Sequence, residues 1–595
     1  MGQEKHTDFV SLVRENVREH GDRRAFTFVS EDAGPGHSYR EDVLGFAELD
    51  RRARALACRL EERGLRDRAV LLLYPEGLEF LAAFLGCLYA RAVAVPAPLP
   101  ALDAGRFDRT RRIIGDADIA WILTDTGHRE ALETWLKEAG LAGRVQCLDT
   151  EAGEGDDPDA WTMPRYGPDT LAFLQYTSGS TSDPKGVMVT HGNLLCNGEE
   201  IKRRIGGSAD TVGVGWVPHY HDMGLVGQFL EPLYLGCRYV FTSPITFIKR
   251  PVLWLELITR HRGTITVAPN FGYELALRRV TDRQMEGLDL SSLRTVKNGA
   301  EPVRAATLER WCERFAPAGF KPEMWMPCYG MAETTLLITG APSGPGPVIR
   351  DFDAAALARG RAVPAGEGAA RRLVSSGRPV TLDVRIVDPD GLVPLPDGRA
   401  GEIWVRGGSV AAGYWRSPAE TRVTFQAYTA GGEGPFLRTG DLGFVDGGEL
   451  FVTGRSKDLI IVNGRNVHAH DVEETAQAAH PAALAGAAFV LDGVTTEDGR
   501  EEVVLVQEIS TRAAAGVPPD ELAGRIKAAV ARAHELPALS VVLTGRGTVR
   551  RTTSGKMQRG LTRQALLDGL VTVLGADLEP AAAKFIRTEP SQKHD

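Results

Sequence analysis

Between residues 70 and 329 short apolar runs alternate with longer stretches in which hydrophobic positions recur every three to four residues. The short runs, at residues 69–73, 92–95, 120–124, 171–176, 212–217, 239–242, 265–268 and 293–297, predict strands. The longer ones, such as 252–262 and 305–315, predict amphipathic helices. Strands that alternate with helices form parallel sheets covered on their faces, so this part of the chain is expected to be α/β. After residue 329 the texture changes. Residues 340–379 are rich in Gly, Pro, Ala and Arg, and strands follow at 381–387 and 402–406, on either side of the turn-former Asp388-Pro389-Asp390-Gly391. A small β subdomain is expected there. From residue 458 an α+β pattern takes over, with strands at 459–462, 486–491, 502–509 and 540–543 and helices near 471–479 and 518–534. The expected domains are therefore 1–457 and 458–595.

A chain of 595 residues can bury several cores, and 43% hydrophobic with 25% charged residues is ordinary globular composition. A formal net charge of −9 argues against nucleic acid as a partner and offers no basic membrane patch. The apolar run 80–90 stops at Arg91 and is too short to span a bilayer, so it reads as a buried helix. The amino terminus, Met1-Gly2-Gln3-Glu4-Lys5-His6, lacks the apolar region of a secretion signal and puts His6 where a myristoylation motif needs Ser or Thr. Seven scattered cysteines without a C-x-x-C pair point to neither zinc nor redox chemistry. A cytoplasmic protein with no integral membrane segment is expected.

The segment Thr177-Ser178-Gly179-Ser180-Thr181-Ser182-Asp183-Pro184-Lys185-Gly186 concentrates hydroxyls, glycines and one lysine after a predicted strand. Glycines let backbone N–H groups approach an anion, hydroxyls add donors, and lysine supplies a mobile charge. The segment is expected to run from the carboxyl end of the strand towards a helix capped near Thr190, at the usual ligand crevice of an open α/β sheet. It is not the Walker loop, which needs a glycine directly before the lysine and Ser or Thr directly after it. Taken alone, it could equally be a solvated Ser/Gly turn. Further motifs follow: Asn298-Gly299-Ala300-Glu301-Pro302, Cys328-Tyr329-Gly330-Met331-Ala332-Glu333-Thr334-Thr335, Arg438-Thr439-Gly440-Asp441, Gly454-Arg455-Ser456-Lys457-Asp458 and Thr552-Thr553-Ser554-Gly555-Lys556. Their order and spacing resemble the adenylate-forming superfamily of acyl-CoA ligases, luciferases and adenylation domains. The resemblance spans nearly the whole chain. It implies doubly wound βα subdomains, the small β subdomain and a mobile C-terminal domain.

The same resemblance implies a site. Thr177, Ser178, Gly179, Ser180, Thr181 and Lys185 would hold the β- and γ-phosphates of ATP. Gly299, Ala300, Glu301 and Tyr329 would form the adenine slot, with Gly330, Met331, Ala332 and Thr334 completing the nucleotide pocket. Glu333 would bind Mg²⁺, Asp441 with Arg455 the ribose, and Lys556 would bridge carboxylate and phosphate oxygens. Asp458 falls at the hinge. Each has a plain alternative: a turn aspartate, a carboxylate favoured by a helix N-terminus, a core tyrosine, an exposed lysine.

Two histidine pairs, His219/His221 and His468/His470, place their rings two residues apart but lack a metallohydrolase pattern, and no G-x-S-x-G elbow supports a serine hydrolase. The segment Trp216 to Gly224 resembles the superfamily's Pro-x-x-His-x-x-Gly, which puts His221 beside the acyl pocket. Ser182, Ile461, the Trp216 to Gly224 version and an insertion at about 348–372 resemble the fatty acyl-AMP ligase branch. That branch implies activation of a fatty acid to acyl-AMP with pyrophosphate release. The acyl group then passes to the phosphopantetheine of a separate acyl carrier protein in polyketide or nonribosomal peptide assembly. A fatty acyl-CoA ligase, an amino-acid adenylation enzyme and a non-catalytic acyl-nucleotide sensor are the alternatives.

Overall fold

The computed structural model describes residues 6–31, 38–100, 107–152, 157–177, 184–462, 465–495, 501–514, 516–534, 536, 538–552 and 557–586. Two large sheets dominate. One has eight strands in the spatial order Leu337–Gly340, Trp325–Gly330, Thr295–Asn298, Ile265–Ala268, Val212–Gly215, Arg238–Thr242, Arg24–Glu31, Tyr39–Gly45. All neighbours are parallel except the two outermost pairs. The other has six strands in the order Gln146–Asp149, Trp121–Thr124, Ala69–Leu73, Val93–Ala97, Leu171–Tyr176, Gly186–Thr190, parallel but for the last. Helices cover these sheets, so central strands such as Val93–Ala97 are buried throughout. That is why they read as unbroken apolar runs rather than alternating ones. Behind the eight-stranded sheet Trp254, Tyr273, Trp311 and Trp325 pack against one another, with the Tyr273 and Trp325 rings edge to face at 4.8 Å. This cluster fixes the strand that ends in Tyr329 and Gly330.

Four antiparallel strands, Asp383–Val387, Gly401–Arg406, Leu437–Asp446 and Glu449–Arg455, form the small β unit. The C-terminal portion has its own sheet, Ala483–Thr495, Glu501–Ile509, Leu539–Thr544 and Val573–Asp577, with the helices Ala469–Ala479 and Pro519–His534 packed on it. Its separate core is built from residues such as Val472, Leu505, Ile526 and Val541. Among the described residues no helix is long and apolar enough to cross a membrane, and all seven cysteines are free.

Three features differ from expectation. The Ser/Gly/Thr segment does not lead from strand to helix. Leu171–Tyr176 pairs antiparallel with Gly186–Thr190, so a second strand and not a helix follows Lys185. The helix His191–Ile205 starts only afterwards, held by a capping box between Thr190 and Asn193. The second strand, Gly-Val-Met-Val-Thr, was hidden because it lies between the lysine and the cap and is too short for a periodic signal. The insertion expected at about 348–372, for which the pattern gave no elements, has structure of its own: Ile349–Asp353 pairs with Ala370–Val374, and the helix Ala354–Ala358 lies between them. Finally, the strands Arg24–Glu31 and Tyr39–Gly45 extend the eight-stranded sheet with residues from before position 70.

Candidate functional site

A cleft of about 2050 Å³ opens where both sheets, the β unit and the C-terminal portion meet. Its walls carry Thr177, at the end of Leu171–Tyr176; Ala300 and Glu301, after Thr295–Asn298; and Tyr329 to Glu333, at and beyond the end of Trp325–Gly330. These are carboxyl ends of sheet strands, where side chains from different strands converge on one crevice.

The strand Trp325–Gly330 turns into the Glu333 segment through a tight approach. A Cβ on Gly330 would stand 1.7 Å from the Leu336 carbonyl oxygen, so no other residue fits. Two positions beyond Glu333, Thr335 adopts φ +68°, an uncommon conformation for a β-branched residue, and its hydroxyl donates to the Ser409 carbonyl at 2.8 Å. The Ala411 N–H donates to the Glu333 carbonyl. Together these contacts hold the Glu333 side chain, 8% exposed, against the cleft. Burial raises its carboxyl above the ordinary range, while its own backbone N–H, the Tyr414 hydroxyl and Arg455 pull it back.

Asp441 and Arg455 face each other on paired strands, with Arg455 Nε 3.3 Å from Asp441 Oδ1. The Asp441 carboxylate raises the Arg455 pKa further. The Tyr329 hydroxyl donates to the other oxygen, Oδ2, at 2.7 Å. Tyr329 and Asp441, expected to serve adenine and ribose separately, are thus one hydrogen-bonded unit. Burial keeps the phenol protonated.

The hairpin brings Lys185 to the other side of the cleft. Its Nζ lies 2.9 Å from Glu420 Oε2 and 5.2 Å from the centre of the Tyr414 ring. The Thr177 N–H donates to the Lys185 carbonyl, and Arg109 reaches the Thr177 carbonyl at 3.3 Å. His221 caps the short helix Asp222–Gly224, with Nδ1 2.7 Å from Asp222 Oδ1, and lines the cleft beside Gln175 and Tyr220. Asp458 accepts from Arg559 at 2.7 Å, and Arg559 also grips Glu473 with Nε and Nη2.

Two other expected residues, Gly299 and Thr334, do not line the cleft. Gly299 packs on Cys328, where a Cβ would meet the carbonyl oxygen at 2.8 Å. Thr334 is fully buried and donates to the Met331 carbonyl. Glu301 is on the wall, but its Oε1 accepts the Phe271 N–H, which ties the Ala300 turn, at φ +66°, to the helix Asn270–Arg279. These three shape the slot. Ser178, Gly179, Ser180, Thr181 and Lys556 lie outside the described residues. Tyr414, Glu420 and Arg109 had not been singled out; in the sequence Gly413-Tyr414-Trp415 reads as a core aromatic pair after a turn, and nothing local ties it to Glu333.

Among the described residues no group of three or more His, Cys, Asp or Glu could hold a metal ion. Glu333 is a single buried carboxylate in a cleft, a donor set that suits a hard cation sharing phosphate oxygens and water, as Mg²⁺ does.

Residues 13–415 match the family model described as AMP-binding enzyme. A medium-chain-fatty-acid–acyl-carrier-protein ligase of Moorena producens is 41% identical over 582 residues, covering 96% of each chain. A long-chain-fatty-acid–AMP ligase of Mycobacterium marinum is 36% identical over 568 residues, 92% of this chain and 95% of that one. Among solved structures, a fatty acyl-adenylate ligase of Legionella pneumophila in complex with acyl adenylate and pyrophosphate superposes with a TM-score of 0.73. It is 35% identical and covers 96% of this chain and 98% of that one.

Proposed function

The chain belongs to the family of AMP-binding enzymes, and from that premise we propose that it joins a fatty acid to AMP and hands the acyl group to a carrier-protein thiol. The observation that carries the reading is the cleft itself, whose lining brings together Lys185, Glu333 and the Asp441–Arg455–Tyr329 unit. In the first half-reaction a carboxylate oxygen attacks the α-phosphorus of ATP. An acyl–O–P bond forms, the bond to the β-phosphate bridging oxygen breaks, and pyrophosphate leaves with the electron pair. Charge must be neutralised at both ends of that displacement.

Lys185, with Thr177, Ser178, Gly179, Ser180 and Thr181, would hold the β- and γ-phosphates. Lys185 would exchange Glu420 for phosphate oxygens, since it is half-exposed and its ion pair is weakly held by solvent-screened charge. Asp441 would accept from the ribose hydroxyls, with Arg455 beside it on the paired strand. Ala300, Glu301, Tyr329, Gly330, Met331 and Ala332 would bound the adenine slot, with Gly299 and Thr334 behind it. Glu333 would hold a Mg²⁺ ion, which when bound offsets the charge on the departing pyrophosphate. Lys556 would supply the mobile charge between carboxylate and phosphate, and His221 would border the acyl chain. Residues 1–457 and 458–595 would act as separate domains hinged at Asp458. In the second half-reaction the thiol sulfur attacks the acyl carbon, a thioester forms and AMP leaves. The acceptor would be a separate phosphopantetheinylated carrier of a polyketide or nonribosomal peptide pathway.

Purified protein given ATP, Mg²⁺ and a panel of fatty acids should release pyrophosphate and accumulate acyl-AMP. Release driven only by amino acids would sink the proposal. Mass spectrometry with CoA and a carrier as competing thiols should show carrier loading well ahead of acyl-CoA. Equal rates would make the protein an acyl-CoA ligase.

A further inference from the structure

The phosphate side and the carboxylate side of the cleft touch through one aromatic residue. The Tyr414 hydroxyl donates to Glu333 Oε1 at 2.9 Å, and the same ring presents its face to Lys185 Nζ at 5.2 Å. A cation over an aromatic face is held by the ring quadrupole, and a phenol that donates to a carboxylate fixes which oxygen remains for other partners. Tyr414 is 8% exposed.

Its backbone is anchored as firmly as its side chain. Tyr414 bridges Val187 in antiparallel fashion, the Met188 N–H donates to the Gly413 carbonyl, and the Trp415 N–H donates to the Gly186 carbonyl at 2.7 Å. Residues 413–415 therefore run as a short extra strand on the hairpin that ends in Lys185. On the far side the helix Pro418–Phe425 completes the mount. Thr421 Oγ1 accepts the Tyr414 N–H at 2.9 Å, the Phe425 ring meets the Tyr414 ring edge-on at 5.1 Å, and Glu420 holds the Lys185 ammonium. A residue needed only to fill space would not require its hydroxyl on a buried carboxylate and a lysine over its face.

We propose that Tyr414 is a positioning residue for adenylation: its hydroxyl orients the Glu333 carboxylate towards the cation, and its ring, with Glu420, parks the Lys185 ammonium where the phosphates arrive. The proposal rests on the adenylation reading above. It treats the two sides of the site as mechanically coupled, so a change on the tyrosine ring is felt by both, whereas loss of the hydroxyl alone is felt by Glu333.

The test is calorimetric titration of ATP without fatty acid, so that no chemistry occurs, in the presence and absence of Mg²⁺. In the wild type Mg²⁺ should tighten ATP binding. Tyr414→Phe should lose about tenfold of that Mg²⁺ gain, the usual size of one hydrogen bond to a charged group, and keep its Mg²⁺-free affinity. Tyr414→Leu should lose several-fold in Mg²⁺-free affinity as well, because Lys185 has no ring beneath it. Tyr414→Phe should also show a kcat about tenfold lower with an unchanged KM for fatty acid and an unchanged unfolding temperature. If Tyr414→Leu does not fold, Tyr414→Phe still decides. A Tyr414→Phe protein with the full Mg²⁺ gain overturns the proposal, whether its rate is normal or falls together with its stability; the second case makes Tyr414 a packing residue. A wild type that releases no pyrophosphate with any fatty acid fails the adenylation reading instead, a separate result.

Discussion

Glu333, Asp441 and Lys185 show how much of a functional residue is its partner. Each stands in a motif that the sequence displays, but its partner comes from a distant segment: Tyr414 and Glu420 carry no signal of their own, and the motif of Tyr329 gives no sign of Asp441. Lys556 remains the residue expected to carry transition-state charge. Lys556→Ala should lower acyl-AMP formation by ~10²–10³ while ATP binding persists, as removal of one such donor does. Pyrophosphate release and calorimetric ATP binding measure the two, and an unaltered rate would take Lys556 out of the chemistry. Buried histidines set the acid limit. Burial lowers His191 to about 4 and His468 to about 3, from 6.5. Between 6.5 and those values the unfolded chain binds protons that the fold excludes, so stability is full above pH 6.5 and declines as pH falls, by about 1.4 kcal/mol per unit for each ring. His191 accepts the Phe9 N–H through Nδ1. His191→Gln can still accept but cannot titrate. Its stability, followed by urea unfolding from pH 7 to 4, should fall less steeply than the wild type's, and parallel slopes would show that the ring is not the group excluded.

At the level of elements, caps and close approaches decide where the site segments begin. Thr190 Oγ1 accepts the Asn193 N–H and Asn193 Oδ1 accepts the Thr190 N–H, while Asn193 Nδ2 donates to the Gly408 and Val410 carbonyls. One cap thus ends the strand Gly186–Thr190, starts a helix and fixes the segment leading to Tyr414. Thr190→Ala should cost about 0.5–2 kcal/mol, visible as a lower urea midpoint with unchanged slope. The cap was legible from Thr190-His191-Gly192-Asn193; the strand before it was not, because five residues of mixed size acquire a strand's identity only from the pairing partner. Gly330 was legible as part of a motif, but its reason, the Leu336 carbonyl in the space of a Cβ, exists only once the strand Leu337–Gly340 has folded back. Gly330→Ala should destabilise the protein by at least about 1–3 kcal/mol and abolish adenylation through displacement of Glu333. Thermal unfolding with parallel activity assays checks both.

At the scale of the molecule, the hairpin Ile349–Asp353/Ala370–Val374 touches the C-terminal portion, where Arg371 donates to Asp471 at 3.0 Å, and Arg304, at the start of the helix Ala305–Phe315, lies 3.6 Å from Glu474. If the C-terminal portion rotates about Asp458, these contacts must break. Arg371→Ala should then raise acyl-CoA formation relative to carrier loading several-fold, read by mass spectrometry of both thioesters; an unchanged ratio would show that the contact does not filter acceptors. The sequence by itself determined the α/β class, the strands 171–176 and 265–268, the helix 305–315 and the motif residues, because apolar periodicity and glycine-rich spacing are local properties of the chain. The tertiary structure alone decided that the strand Leu171–Tyr176 pairs with Gly186–Thr190, that Tyr329 serves Asp441, and that Tyr414 joins Lys185 to Glu333. Those contacts link residues far apart in sequence, and a side chain's partner across such a distance is set by the packing of whole sheets, which no local pattern encodes.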